Sequence, residues 1–524
     1  MNSNSSLKIA RAQLSQSEKV GQLFMPAAFI NDTEQEIQQI ENLISKEGVG
    51  GLCFFHSRAS AATNFEGKKK VVHNAKSFDT LQNLIQRYQR AAKYPLLIAI
   101  DAEWGLAMRI ENTPQYPYAI TLGAIQNNCD LVFEVGRNIA LDCKMAGIHW
   151  NLAPVVDLNN NPNNPVIGYR SFGEDKDQVT DKALAFIKGT QSEGILTSIK
   201  HFPGHGDTAT DSHLGLPLIS KSKEELAQNE LYPFQKLIDE GVDSVMVGHL
   251  SVPALAEGKM TPSSISKTII KEILRKEMGY NGVVISDALN MHAISKDYPV
   301  KGELEWLAFE AGNDVLCFSE NCSEGIQAIL KNASEKQIEE SFQRIWKLKE
   351  KTIQIQGLQS SMALTNADEL NLKIAHKSLT LFKGTEEALA KFSTTSFAGL
   401  ENTQPIENHF FNYLSENKKF NRFYSTETNT NSEENILLAL FPQQVKPAHN
   451  FGFTDEEITA INTLFSTKNV VLYLFGNPYL LNLFDTEKAE GIIIVYQNFK
   501  TFQKVAAAHF LGEFDAVGKL PVHL

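Results

Sequence analysis

Cysteine is scarce in this chain, with only 5 among 524 residues. The five (Cys53, Cys129, Cys143, Cys317 and Cys322) are odd in number and scattered. No disulfide framework is expected from them, and buried free thiols fit a reducing compartment. Long apolar runs are missing too. Nothing approaches the roughly 18–20 residues that cross a bilayer, so no membrane span is expected. The first residues, Met1-Asn2-Ser3-Asn4-Ser5-Ser6, lack the apolar centre of a secretory leader. The expected compartment is the cytoplasm, or the periplasm or exterior if a leader has been removed. Positive charge is not in excess: 49 Lys and Arg face 61 Asp and Glu, a net charge of −12. Such a chain repels phosphate backbones, which argues against a nucleic-acid partner. Internal repeats and low-complexity tracts are also absent.

What remains is an ordinary globular composition, 43% hydrophobic and 21% charged, in a chain long enough for two or more domains. Short apolar runs recur through the first two thirds: 22–29, 48–55, 96–101, 148–157, 195–201, 244–249, 282–287 and 314–318. Segments of helical period lie between them, among them 80–92, 182–193, 223–240 and 268–278. About eight such units predict an α/β fold, a (β/α)₈ barrel of parallel strands covered by helices. A long helix over 335–355 ends this region. Residues 1–356 are expected to form the catalytic barrel and 357–369 a linker. Residues 370–524 are read as a smaller, non-catalytic α/β sandwich with parallel strands, in which 402–434 is a solvated excursion.

The ends of the barrel runs are polar: Asp101 and Glu103, Asn151 and Asp157, Lys200 and His201, His249, Asp287. Barrel strands converge at their carboxyl ends, so these residues are expected around one mouth. A single such residue is usually a helix cap, but a set this rich in carboxylates points to a pocket.

The densest segment, Lys200-His201-Phe202-Pro203-Gly204-His205-Gly206-Asp207-Thr208-Ala209-Thr210-Asp211-Ser212-His213, leaves one of these runs. Its glycines and proline exclude regular structure. It can be read as a surface loop, as a metal site or as acid/base machinery. The spacing matches no standard zinc pattern and no cysteine is near. In the third reading Asp211 polarises His213, a proton donor suited to neutral pH. Asp287, held at the end of 282–287, is a carboxylate placed to act as nucleophile, or else a cap of the following helix. A fixed carboxylate and a proton shuttle are the minimum for glycosyl transfer by double displacement.

These residues carry a resemblance to family 3 glycoside hydrolases of the bacterial β-N-acetylglucosaminidase branch. Lys200–His213 is similar to that branch's K-H-F-P-G-H-G-x-x-x-x-D-S-H motif, and Ser286-Asp287 with Met291 resembles the nucleophile motif S-D-x-x-x-M. Asp101-Ala102-Glu103 with Arg109, the block 151–157 and the block 167–173 resemble three more. The resemblance implies a retaining exo-β-N-acetylglucosaminidase. Asp287 would be the nucleophile, with His213 and Asp211 as acid/base dyad. Asp101, Arg170, Lys200 and His201 would bind sugar hydroxyls, while Arg109 and Asp157 would be structural. The implied substrate is a terminal β-linked N-acetylglucosaminyl sugar, plausibly of a peptidoglycan fragment. No metal and no cofactor are implied, and the chain is expected to be a monomer or weak homodimer. A phosphorylase or β-glucosidase-like activity on the same scaffold, or an inactive sugar-binding protein, remain open at this point. One departure stands out: Trp104-Gly105 occupies the place of two glycines.

Overall fold

The computed structural model describes residues 11–56, 73–208, 215–356, 363–402, 408–424 and 433–524. The chain divides into two compact units. The first is Met1–Gln115, Val132–Leu158 and Ala183–Thr365. The second is Tyr116–Leu131, Asn159–Lys182 and Asn366–Leu524.

The first unit contains nine short strands among its described residues: β1 (Phe24–Met25), β2 (Ala27–Phe29), β3 (Gly51–Phe55), β4 (Leu97–Ile100), β5 (Trp150–Asn151), β6 (Leu196–Phe202), β7 (Ser244–Val247), β8 (Val283–Ser286) and β9 (Leu316–Cys317). Strands β2 to β8 pair in chain order as one parallel sheet. β1 pairs in parallel with β9, Phe24 opposite Leu316. Pro26, which has no N–H to give a ladder, separates β1 from β2. The result is an α/β fold around a curled parallel sheet. Its strands are buried along nearly their whole length, as crossover helices require.

Local signals set the helix ends. Thr33 and Glu36 form a capping box on the helix Glu34–Glu47, which stops at Gly48 in the left-handed region (φ 64°). The expected helix over 223–240 is two helices, Lys223–Gln228 and Leu231–Asp239. Pro233 explains the break. It falls in the first turn of the second helix, where its missing N–H costs nothing, instead of inside a continuous one.

The second unit holds a six-stranded sheet in the order β10-β15-β14-β13-β11-β12. These strands are β10 (Thr380–Lys383), β11 (Ala398–Glu401), β12 (Asn421–Tyr424), β13 (Asn435–Leu440), β14 (Asn469–Leu474) and β15 (Gly491–Ile494). Two expectations are revised here. β10 runs antiparallel to β15, so the strands are not all parallel. β12 lies in the stretch read as a solvated excursion; it is a polar, largely exposed edge strand with no apolar run to reveal it. Both faces of the sheet are covered. Ile436, Leu438 and Leu440 cluster with Ile461 and Phe465 of the helix Asp455–Thr467. On the opposite face Tyr473 meets Phe410 at 4.9 Å and Phe510 at 6.1 Å.

Two segments inside 1–356 belong to this unit. Ile120 and Ala124 share an apolar cluster with Val522 and the β13 residues, and Gln497 Nε2 donates to Thr121 Oγ1 (2.7 Å). Part of the expected linker (357–362) lies outside the described residues, and the helix Ala367–Ser378, capped by Asn366, begins within the rest. No described helix is long and apolar enough to cross a membrane.

Candidate active site

The polar residues named from the sequence gather at the carboxyl ends of the first unit's strands. Asp101 follows β4, and Lys200 and His201 lie in the last turn-outward part of β6. The Lys200 ammonium is buried between two carboxylates, 2.8 Å from Asp101 Oδ1 and 2.8 Å from Glu103 Oε1. Arg109 Nη2 donates to the other Asp101 oxygen at 2.9 Å, its guanidinium lying 4.0 Å from the centre of the Phe55 ring. Burial opposes charge on Asp101, but Lys200 and Arg109 outweigh it and hold the carboxyl well below its ordinary range. Asp101 is therefore an ionised acceptor at any pH of interest.

His201 rests on Asp157. Its Nδ1 is 2.7 Å from Asp157 Oδ2, and its backbone N–H reaches both oxygens of the same carboxylate. The His205 backbone N–H adds a third donor, 2.7 Å from Oδ1. Asp157 is buried, which opposes its charge; His201 and His205 more than compensate and keep it below the usual carboxylate value. With Asp157 ionised, His201 carries its hydrogen on Nδ1 and turns Nε2 away from the carboxylate. His205, unassigned from sequence, is buried against its neighbours, 5.7 Å ring to ring from His201. Thr208 Oγ1 donates to His205 O, so the 2.9 Å contact between that hydroxyl and His205 Nδ1 has the ring as donor. Burial first, then His201, pushes His205 down to about 4, so it is neutral. Gly206 allows this packing: a Cβ there would lie 1.6 Å from the Leu158 carbonyl oxygen.

Asp287 follows β8 directly. Its N–H donates to Val247 O (2.9 Å), and its Oδ1 accepts from Ala288 N–H (2.8 Å). It is half-buried. The Cys317 thiol, pushed up by its contact with Cys53 and by burial, feels both Asp101 and Asp287.

Not every expected residue joins this set. Asp211 and His213 lie outside the described residues. Arg170 belongs to the second unit, at the end of the short turn Gly168–Arg170. Two residues gain more weight than the sequence gave them. Glu103 is the second carboxylate on Lys200, and Asp157 is the anchor of His201 and His205. Glu103 follows β4 and Asp157 ends the apolar run 148–157, which was the available signal. The Trp104-Gly105 departure also has a local reason. Gly105 sits at φ 103°, where glycine is needed, whereas Trp104 is not among the residues of positive φ.

Fixed carboxylates beside a buried ammonium and an oriented imidazole, at the open ends of a parallel α/β sheet, make a site for an enzyme that grips hydroxyl-rich substrates. The chain belongs to glycosyl hydrolase family 3: the family model described as the glycosyl hydrolase family 3 N terminal domain matches residues 15–348. It is 33% identical over 358 residues to β-hexosaminidase A of Pseudoalteromonas piscicida, covering 63% of this chain and 57% of that one. It is 37% identical over 255 residues to a β-hexosaminidase of Tolumonas auensis, covering 48% of this chain and 74% of that one. In structure it is similar to a family 3 β-N-acetylglucosaminidase from Paenibacillus sp. FPU-7, with a TM-score of 0.77 at 26% identity. That match covers 97% of this chain and 99% of the other.

Proposed function

We propose that this protein is a retaining, exo-acting β-N-acetylglucosaminidase that removes terminal β-linked N-acetylglucosamine, with peptidoglycan fragments as the substrate class. One observation carries the reading: a carboxylate fixed at the end of β8 shares a strand-end surface with the ionised Asp101, Lys200 and Asp157-bound His201. The names of its relatives, β-hexosaminidase and β-N-acetylglucosaminidase, point the same way. The finer reading of the sheet is a closed (β/α)₈ barrel. The β1–β9 pairing and the bridge between Ile285 and Val315, which joins β8 to the strand beyond it, support closure.

In the mechanism, Asp287 attacks the anomeric carbon and forms an ester-linked glycosyl-enzyme. The bond to the leaving oxygen breaks as His213 supplies its proton, with Asp211 holding the imidazole. The same histidine then takes a proton from water as water displaces Asp287. Asp101 accepts from sugar hydroxyls, and Lys200 and His201 hold theirs. Asp101, Lys200 and His201 are held by their partners before substrate arrives, so little is spent on ordering them.

The test is turnover of 4-nitrophenyl N-acetyl-β-D-glucosaminide. Asp287→Asn should remove nearly all of it, and a 2-fluoro glycoside should label Asp287 in the native chain. His213→Ala should slow poor leaving groups more than good ones. Release of free sugar whether or not phosphate is present separates hydrolysis from phosphorolysis. An Asp287→Asn variant with native turnover would sink the proposal.

A further inference from the structure

His249 follows β7, in the loop that faces the nucleophile's turn, and its side chain is fully buried. Its two ring nitrogens are committed. Nε2 lies 2.9 Å from the Ala288 carbonyl oxygen, and Nδ1 lies 2.7 Å from Ser264 Oγ. A carbonyl oxygen can only accept, so the hydrogen sits on Nε2. In the neutral tautomer Nδ1 accepts from the Ser264 hydroxyl. Ser264 is itself buried, and its carbonyl oxygen accepts from Asn313 Nδ2 (2.7 Å). Ala288 is the residue after Asp287, and its N–H is the donor to Asp287 Oδ1 (2.8 Å). One peptide unit further along, the Ala288 carbonyl also accepts from Met291 N–H (3.1 Å). A chain of donors therefore runs from Ser264 through His249 to the Ala288 carbonyl, and so to the residue whose N–H holds one oxygen of Asp287.

We propose that His249 is a positioning residue for the nucleophile: its Nε2–H clamps the Ala288 carbonyl and thereby fixes the turn that aims the Asp287 carboxylate. This rests on the reading of Asp287 as nucleophile. The clamp acts on reaction more than on sugar affinity, because its ring nitrogens meet the Ala288 carbonyl and the Ser264 hydroxyl. A carboxylate released by about 1 Å from its line of attack costs on the order of 10²-fold in rate.

Isosteric amides separate this role from simple core filling. The amide nitrogen of glutamine reaches the position of Nε2, whereas that of asparagine reaches only the position of Nδ1. On the 4-nitrophenyl substrate, His249→Asn and His249→Ala should each lower kcat about 10²-fold. The inhibition constant of N-acetylglucosamine should stay within about threefold of native. His249→Gln should regain at least tenfold of the lost kcat, with melting temperatures of the Asn and Gln variants alike. Should the Ala variant fail to fold, the Asn–Gln pair still decides. Equal kcat for the Asn and Gln variants, or a loss expressed only in the inhibition constant, would overturn the proposal. Failure of the underlying reading looks different: Asp287→Asn would then remain active and the 2-fluoro glycoside would label another residue.

Discussion

Asp157→Asn tests how far the site depends on one buried carboxylate. Asp157 is 1% exposed and takes three donors: His201 Nδ1–H at 2.7 Å, the His201 N–H at 3.1 Å and the His205 N–H at 2.7 Å. Bonds to a charged acceptor contribute about 1.5–3 kcal/mol each. Asparagine keeps one acceptor oxygen but turns an NH₂ toward a remaining donor, so at least one bond is replaced by a donor facing a donor. The expected cost is about 3–5 kcal/mol, the range for a buried charged pair cut on one side. In calorimetry that lowers the first unit's melting temperature by roughly 5 °C. Catalysis should change as well. The asparagine NH₂ can donate to Nδ1, which moves the His201 hydrogen to Nε2 and reverses what the ring offers the sugar. KM should rise about 10- to 100-fold, the scale for loss of a residue that orients a ligand. The sign of the pH effect follows from the lowered Asp157 pKa. The carboxylate's contribution is fully present above the ordinary aspartate value near 3.9 and is lost as pH falls through the lower folded value. The native–variant gap in stability should therefore be full at pH 7 and narrow only in acid below about 4. A variant with native melting temperature and native KM would refute the reasoning.

Asp142 offers the opposite sign. Burial raises it to about 6 although Thr365 donates both its N–H and its hydroxyl, each at 2.8 Å. A folded value above the unfolded one means stability that is full below about 3.9 and is lost as pH rises through about 6. Asp142→Asn should therefore be more stable than the native chain at pH 7.5, by about 3 kcal/mol, and match it near pH 4; a lower melting point at both would count against it. Lys200→Met removes the ammonium between Asp101 and Glu103. Arg109 still holds Asp101, so Glu103 is the group expected to take up a proton, and the acid limb of the pH–rate profile should move toward neutrality. An unmoved limb in a folded, weakened variant would show that Glu103 does not depend on Lys200.

The sequence made the strand ends legible but not their partners. Lys200 is 99 residues from Asp101, and His201 is 44 from Asp157. Only the parallel register of β4, β5 and β6 brings those ends side by side. The eight apolar runs of the first unit correspond to its strands because buried parallel strands are apolar on both faces. β12 escaped because an exposed edge strand has no such run. The two segments shared with the second unit escaped for another reason. What ties Ile120 and Ala124 to Val522 is apolar contact across some 400 positions of chain, and no local pattern records that.

The histidine-rich segment shows why its composition is so dense. Several of its described polar groups serve the loop itself: the His205 ring and the Thr208 hydroxyl bond each other, and the N–H groups of His201 and His205 go to Asp157. Asp157 must sit under the loop as a charge, and a buried charge persists only with donors around it. The backbone N–H groups of His201 and His205 and the ring of His201 supply them. Gly206 is small because Leu158 passes against it, and His205 is neutral because it is packed away beside His201. The same holds one strand over, where the largely covered Asp101 and Glu103 share the Lys200 ammonium between them. His201 is thus held by Asp157, and Asp101 by Lys200 and Arg109. Removing a supporting partner should then cost binding and stability together, whereas removing Asp287 should cost turnover alone.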